Sequence, residues 1–159
     1  MALTEENPGY KWVGTRPIRP DGVEKVTGKA RFGADLALPG MLHGKIVRSP
    51  HAHARIASID TTAAEAMPGV KAVITGSDFP DLAANGAHPS AIDVANNAIA
   101  RDKVLYEGHV VAAVAAITRE QAEVAAKAVE VTYEKLPHVL TVDEAMAEDA
   151  PVLHENMIT

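Results

Sequence analysis

Residues 48–56 read RSPHAHARI and set His51 and His53 one residue apart between segments rich in strand-forming residues. On a strand, alternate side chains share a face, so the two imidazoles would project together as a two-histidine metal clamp requires. Zinc needs three or four convergent ligands. Among the seven histidines and the carboxylates, His43 or Asp60 could add a third across neighbouring strands, but no spacing compels it. Two structural or interface histidines would show the same spacing. Ser49 beside His51 has the residue types of a nucleophile and a base, yet their i, i+2 spacing supplies no oriented third group and no G-x-S-x-G elbow is present. Gly22 to Gly28-Lys29 fails as a phosphate loop: five residues separate the glycines, and Ala30 stands where a metal-binding hydroxyl belongs. The dinucleotide fingerprint is also missing. Asp143, Glu144, Glu148 and Asp149 fit a solvated helix face and turn better than a paired acid and base. On this reading the chain carries no catalytic, no cofactor-binding and no metal-ligating residue.

The elements that would position these residues fall into two regions. Residues 1–30 read as an extended arm with short strands, punctuated by Asp21-Gly22 and Gly28 turn signals. Residues 31–159 read as one domain. MLHGKIVRS, RIASID and VKAVIT have the β-branched content of strands. Between the last two, Thr62 with Glu65 offers a capping box and Pro68-Gly69 a stop, so a strand, short helix and strand predict a β-α-β unit. The pattern recurs. VVAAVAAI, residues 110–117, is continuously apolar and predicts a strand buried on both faces. Thr118 with Gln121 forms a second box, and Ala122, Ala125, Ala126 and Val129 share one helix face. Val129, Val131 and Tyr133 then alternate as in a strand, and Thr141 with Glu144 would start a last short helix. Residues 80–101 show no clear period and read as a long irregular connection, of the kind that carries function or is held by a partner.

Composition narrows the class. The chain has 159 residues, enough for one domain with a real core. Aromatic residues make up only 4%, so that core must be built from Ala, Val, Ile and Leu. With no cysteine, the chain supplies no disulfide, no thiolate for zinc or iron–sulfur ligation, and no cysteine nucleophile. The N-terminal MALTEENPGY lacks the basic and apolar regions of a secretory signal, and the longest apolar run falls far short of the roughly 20 residues that span a bilayer. A cytoplasmic protein is expected. The net charge of −6 argues against general affinity for nucleic acid. It is unevenly spread: residues 1–55 carry 9 Lys and Arg against 5 Asp and Glu, whereas residues 56–159 carry 6 against 16. A solvated surface explains this, and so does a basic arm that docks on an acidic partner.

Four blocks taken together point further: DGVEKVTGKARFGADL, PGMLHGKIVRSPHAHARIASIDTTAAEAMPGVKAVITGSDF, ARDKVLYEGHVVAAVAAITREQAEVAAKAVEVTYEKLP and EDAPVLHEN. In order and spacing they resemble the start of the molybdenum-binding large subunit of the xanthine dehydrogenase and aldehyde oxidase family. The resemblance covers nearly all the chain after about Val13. DGVEKVTGKA, RSPHAHARI and VVAAVAAI are most similar to large subunits of the 4-hydroxybenzoyl-CoA reductase type. Gly108-His109-Val110 departs from the family, whose members commonly carry an acidic or amide residue and then proline.

The resemblance implies a mixed α/β fold, the a/b hammerhead domain, preceded by the arm. It implies a non-catalytic structural and interface domain of a molybdenum hydroxylase, an oxidoreductase that acts on a carbon centre. The molybdenum–molybdopterin would then sit in the remaining domains of the large subunit, and the iron–sulfur centres and FAD on partner subunits or domains. Those domains and subunits are the expected partners, with no nucleic acid and no membrane. RSPHAHARI is then a structural block at a strand end and turn, with Pro50 setting the bend and Arg48 and Arg55 free to pair with carboxylates. A stand-alone binding or assembly module that has lost the enzyme domains is the alternative, and a small metal hydrolase using His51 and His53 is a third.

Overall fold

The computed structural model describes residues 11–82 and 84–154. The chain divides into two compact units, Met1–Pro39 and Gly40–Thr159. In the first unit the described residues form a helix, α1 (Gly22–Val26), and a 3-10 turn at Gly33–Asp35. The expected short strands are not among them. Asp21 at the head of α1 is paired with Arg19 and with Lys25, 2.7 Å away, and these cations hold its carboxyl below the usual range. Glu24 O accepts from both Lys29 N and Ala30 N, and Gly28 takes the left-handed conformation that this reversal needs.

The second unit contains β1 (His43–Arg48), β2 (Ala54–Asp60), α2 (Thr62–Glu65), β3 (Val70–Thr75), α3 (Pro89–Ala98), β4 (Lys103–Val104), β5 (Val110–Ala116), α4 (Arg119–Lys127), β6 (Glu130–Lys135) and α5 (Val142–Ala145). Among the described residues it is a mixed α/β unit with two three-stranded sheets, ordered β1-β5-β3 and β4-β2-β6, and every pairing is antiparallel. Each expected β-α-β unit therefore leads from one sheet to the other. Only nine residues separate β2 from β3, fewer than the dozen or so that a parallel crossover requires.

β5 is central to its sheet and has no exposed residue, as its apolar run predicts. Ala112 and Val114 pack with Ala64 of α2, Ala125 of α4 and Val129. Alanine on both sides lets helix and sheet approach closely, which is how a core poor in aromatics closes. Val111 on the opposite face joins Ala54, Ala100 and Val104 in a second cluster toward the other sheet.

The boxes at Thr118 and Thr141 form as expected. The box expected at Thr62 does not: Thr61 is the cap, and Asp60 Oδ1 accepts from Thr62 N at 2.9 Å. In α4, Thr118 Oγ1 accepts from Gln121 N and Gln121 Oε1 accepts from Thr118 N, both at 3.2 Å. Thr118→Ala should therefore cost about 1 kcal/mol, read as a lower urea midpoint with an unchanged slope.

The connection at residues 80–101 is not irregular throughout. α3 occupies its second half, with His88 as N-cap and Pro89 in the first helical position. Among the described residues, no helix is long and apolar enough to cross a membrane.

Candidate functional site

RSPHAHARI spans the end of β1, a bend at Ser49–His53 and the start of β2. Neither His51 nor His53 lies on a strand, so the shared-face geometry of the metal reading does not arise. His51 meets Tyr133 edge-on, with centroids 5.0 Å apart. Burial raises the Tyr133 phenol above its ordinary range, against a smaller opposing effect of the Ser49 hydroxyl. His53 is buried at 6% exposure, and its Nδ1 lies 2.6 Å from Pro137 O, a contact in which the ring N–H donates. The other ring nitrogen, Nε2, is buried without a hydrogen-bond partner among the described residues. His43 starts β1 in the other sheet, and Asp60 lies at the far end of β2. Among the described residues, no three His, Asp or Glu side chains converge to hold a metal ion.

Ser49 is committed to the backbone. Its Oγ accepts from His51 N at 3.0 Å, its N–H donates to His109 O at 2.9 Å, and its carbonyl accepts from Gly108 N at 2.8 Å. Arg48 also serves the main chain: Nη1 donates to Gly108 O at 2.7 Å, where a carboxylate partner was expected. Arg55 does face a carboxylate, Glu134, at 3.7 Å on the neighbouring strand. Arg101 Nη2 donates to Phe79 O at 2.7 Å and Pro80 O at 3.0 Å, gathering the chain between β3 and α3. Beside these residues lies a polar cavity of about 440 Å³ with Arg55, Lys103, Asp93 and Asp102 on its walls.

His109, noted in the sequence only as a departure from the family, holds the most elaborate set of contacts in this region. It is fully buried at the mouth of β5. Its Nδ1 accepts from Leu105 N at 3.2 Å, which places the proton on Nε2, and Nε2 donates to Asn96 O at 2.8 Å. Tyr106 stacks on the ring at 4.4 Å, and its hydroxyl donates to Asn97 O at 3.2 Å. Burial pushes the His109 pKa below its ordinary value, outweighing the pull of the Asn96 and Asn97 carbonyls. The available signal was a histidine directly before an all-apolar run, because a polar ring entering a doubly buried strand must find partners there.

The histidines and arginines of this region are thus bound mostly to carbonyls. Residues 27–137 match the family described as aldehyde oxidase and xanthine dehydrogenase, a/b hammerhead domain. The chain belongs to that family. It is 41% identical over 139 residues to a probable xanthine dehydrogenase component of Bacillus subtilis, covering 87% of this chain and 18% of that protein. It is 43% identical over 145 residues to the carbon monoxide dehydrogenase large chain of Afipia carboxidovorans, covering 91% and 18%. Among solved structures, the Cu,Mo-CO dehydrogenase superposes with a TM-score of 0.73 at 38% identity, over 92% of this chain and 18% of that one. The aldehyde oxidoreductase of Desulfovibrio gigas gives 0.70 at 33%, over 86% and 16%. The chain therefore spans under a fifth of the length of these relatives. In this hammerhead domain, RSPHAHARI is the bend that carries the chain from the β1-β5-β3 sheet to the β4-β2-β6 sheet.

Proposed function

We propose that this hammerhead domain is a non-catalytic structural and interface domain of a molybdenum hydroxylase large subunit. The parent enzyme is then a cytoplasmic oxidoreductase that acts on a carbon centre. One observation carries the reading: the side chains best suited to chemistry are spent on backbone carbonyls. Arg48 holds Gly108, His53 holds Pro137, His109 holds Asn96, and Arg101 holds Phe79 and Pro80. Groups used this way rigidify bends and strand ends, and none of them is assigned to a pterin or its metal.

The molybdopterin accordingly belongs to the remaining domains of the large subunit, and the iron–sulfur centres and FAD to partner subunits or domains. A chain without cysteine supplies no thiolate to an iron–sulfur cluster. The test is to tag the protein in its native cells, purify it, identify what accompanies it by mass and assay molybdenum. Recovery with molybdopterin-binding, flavin and iron–sulfur polypeptides and with molybdenum is expected. Recovery without them and without molybdenum overturns the reading in favour of a stand-alone assembly module.

A further inference from the structure

Among the described residues, α3 makes only sparse contact with the other helices and strands. Beneath it lies an apolar cleft of about 690 Å³. Its floor is the rung Ile46, Ala113 and Ile74 across β1, β5 and β3, and its roof includes Ile92, Ala95 and Ile99. What fastens α3 is polar and concentrated at its C-terminal end. The carbonyls of Asn96 and Asn97 belong to the last turn, where no further helical N–H reaches them. His109 Nε2 takes the first and the Tyr106 hydroxyl the second, while the two rings stack on each other. Just beyond, Ala100 N donates to Val110 O at 2.7 Å.

We propose that His109 is a proton-controlled latch: its neutral ring pins α3 over the cleft, and protonation of Nδ1 releases the helix. The neutral ring is the only form that fits both partners. Adding a proton at Nδ1 sets an N–H against the Leu105 N–H, so the acceptor that Leu105 uses is lost and two donors face each other. The resulting cation also sits in a site with no exposure. Both costs vanish if the ring withdraws, and withdrawal gives up the Asn96 carbonyl and the Tyr106 stack together. Of the charged or titratable groups among the described residues, Tyr106 stacks on the ring, Glu107 lies in the same loop and Arg48 binds the adjacent Gly108 carbonyl, while Asp93, Asp102, Lys103 and His53 share the walls of the polar cavity with Asn96 and Leu105. In the closed state Nδ1 accepts from Leu105 N and Nε2 donates to Asn96 O.

The direction with pH follows from burial. The ring is harder to protonate when closed than when open, so closure is favoured above the ordinary histidine value of about 6.5 and weakens as pH falls below it. The opening equilibrium then rises by up to about tenfold per pH unit.

Amide hydrogen exchange on the 159-residue chain between pH 7 and pH 5, corrected for intrinsic rates, tests this. Protection across α3 should fall relative to β5, and in His109→Gln that relative fall should disappear. Parallel behaviour of α3 and β5 in the native sequence, or an undiminished fall in the variant, overturns the latch. If His109→Gln does not fold, nitrogen NMR of the unaltered chain decides. The His109 ring should titrate in step with the α3 amides, and a ring that protonates while those amides stay fixed refutes the proposal.

Discussion

Val114→Asp should leave the Gly40–Thr159 unit unfolded at 37 °C. Val114 is 1% exposed on the central strand, opposite Lys45 of β1 and Val73 of β3, and packs with Ala64 and Ala125 from the two helices. Removing the valine forfeits about 1.5–3 kcal/mol of apolar burial. The carboxylate then has no cation within this cluster, which is made of alanines and valines, and must either stay charged or take up a proton. Together these effects cost upward of about 4 kcal/mol, most of the 5–15 kcal/mol by which a typical domain is stable. Val124→Asp is the matched control, because Val124 is 56% exposed on α4. Far-UV circular dichroism and urea unfolding of the two variants should show lost structure in the first and a near-native midpoint in the second. Equal midpoints would mean that β5 is not the centre of the core. Since the proposed interface role needs a folded domain, Val114→Asp should also abolish recovery of partner polypeptides while Val124→Asp retains it.

What the sequence made legible was the part whose signals are local. VVAAVAAI announced a doubly buried strand because no polar residue interrupts it, and Thr118–Gln121 and Thr141–Glu144 marked helix starts because both halves of each box lie within four residues. Sheet membership was not local. β2 and β3 look like one β-α-β unit until pairing is known, and pairing depends on β5 and β6, some forty to eighty residues later. α3 was hidden by composition: Asn96, Asn97 and the alanines dilute the apolar spacing of Ile92, Ala95 and Ile99, although Pro89 marked its start. The two histidines of RSPHAHARI would share a face only on a continuous strand; the bend expected at Pro50 follows β1 two residues past Arg48, and the rings face different neighbours, Tyr133 and the Pro137 carbonyl. His109 drew notice only as a family departure, because its partners Asn96 and Leu105 carry no pattern that ties them to it.

Gly76→Ala carries the second large effect, and its cause is a backbone approach. Gly76 is buried at the end of β3, inside the turn that Asp78 closes by accepting from Thr75 N at 2.7 Å. A Cβ there would lie 2.6 Å from Ala100 O and 3.0 Å from Arg101 Cα. These are main-chain atoms, so no rotamer relieves the contact, and either β3 or the segment leaving α3 must shift. That shift would strain the Ala100 N to Val110 O bond and the grip of Arg101 on the Phe79 and Pro80 carbonyls. A loss of about 1–3 kcal/mol is expected, as for overpacking in a tight interior. Gly44→Ala in β1 separates this cause from the ordinary entropy of glycine. It meets nothing within 4 Å and has no left-handed backbone, so it should be neutral or stabilise by up to about 1 kcal/mol. Urea midpoints of the pair decide the matter: a large drop at Gly76 alone shows that the packing of β3 against the exit of α3 requires a residue without a side chain. Equal shifts would place the effect in the unfolded chain and remove the close approach as its cause.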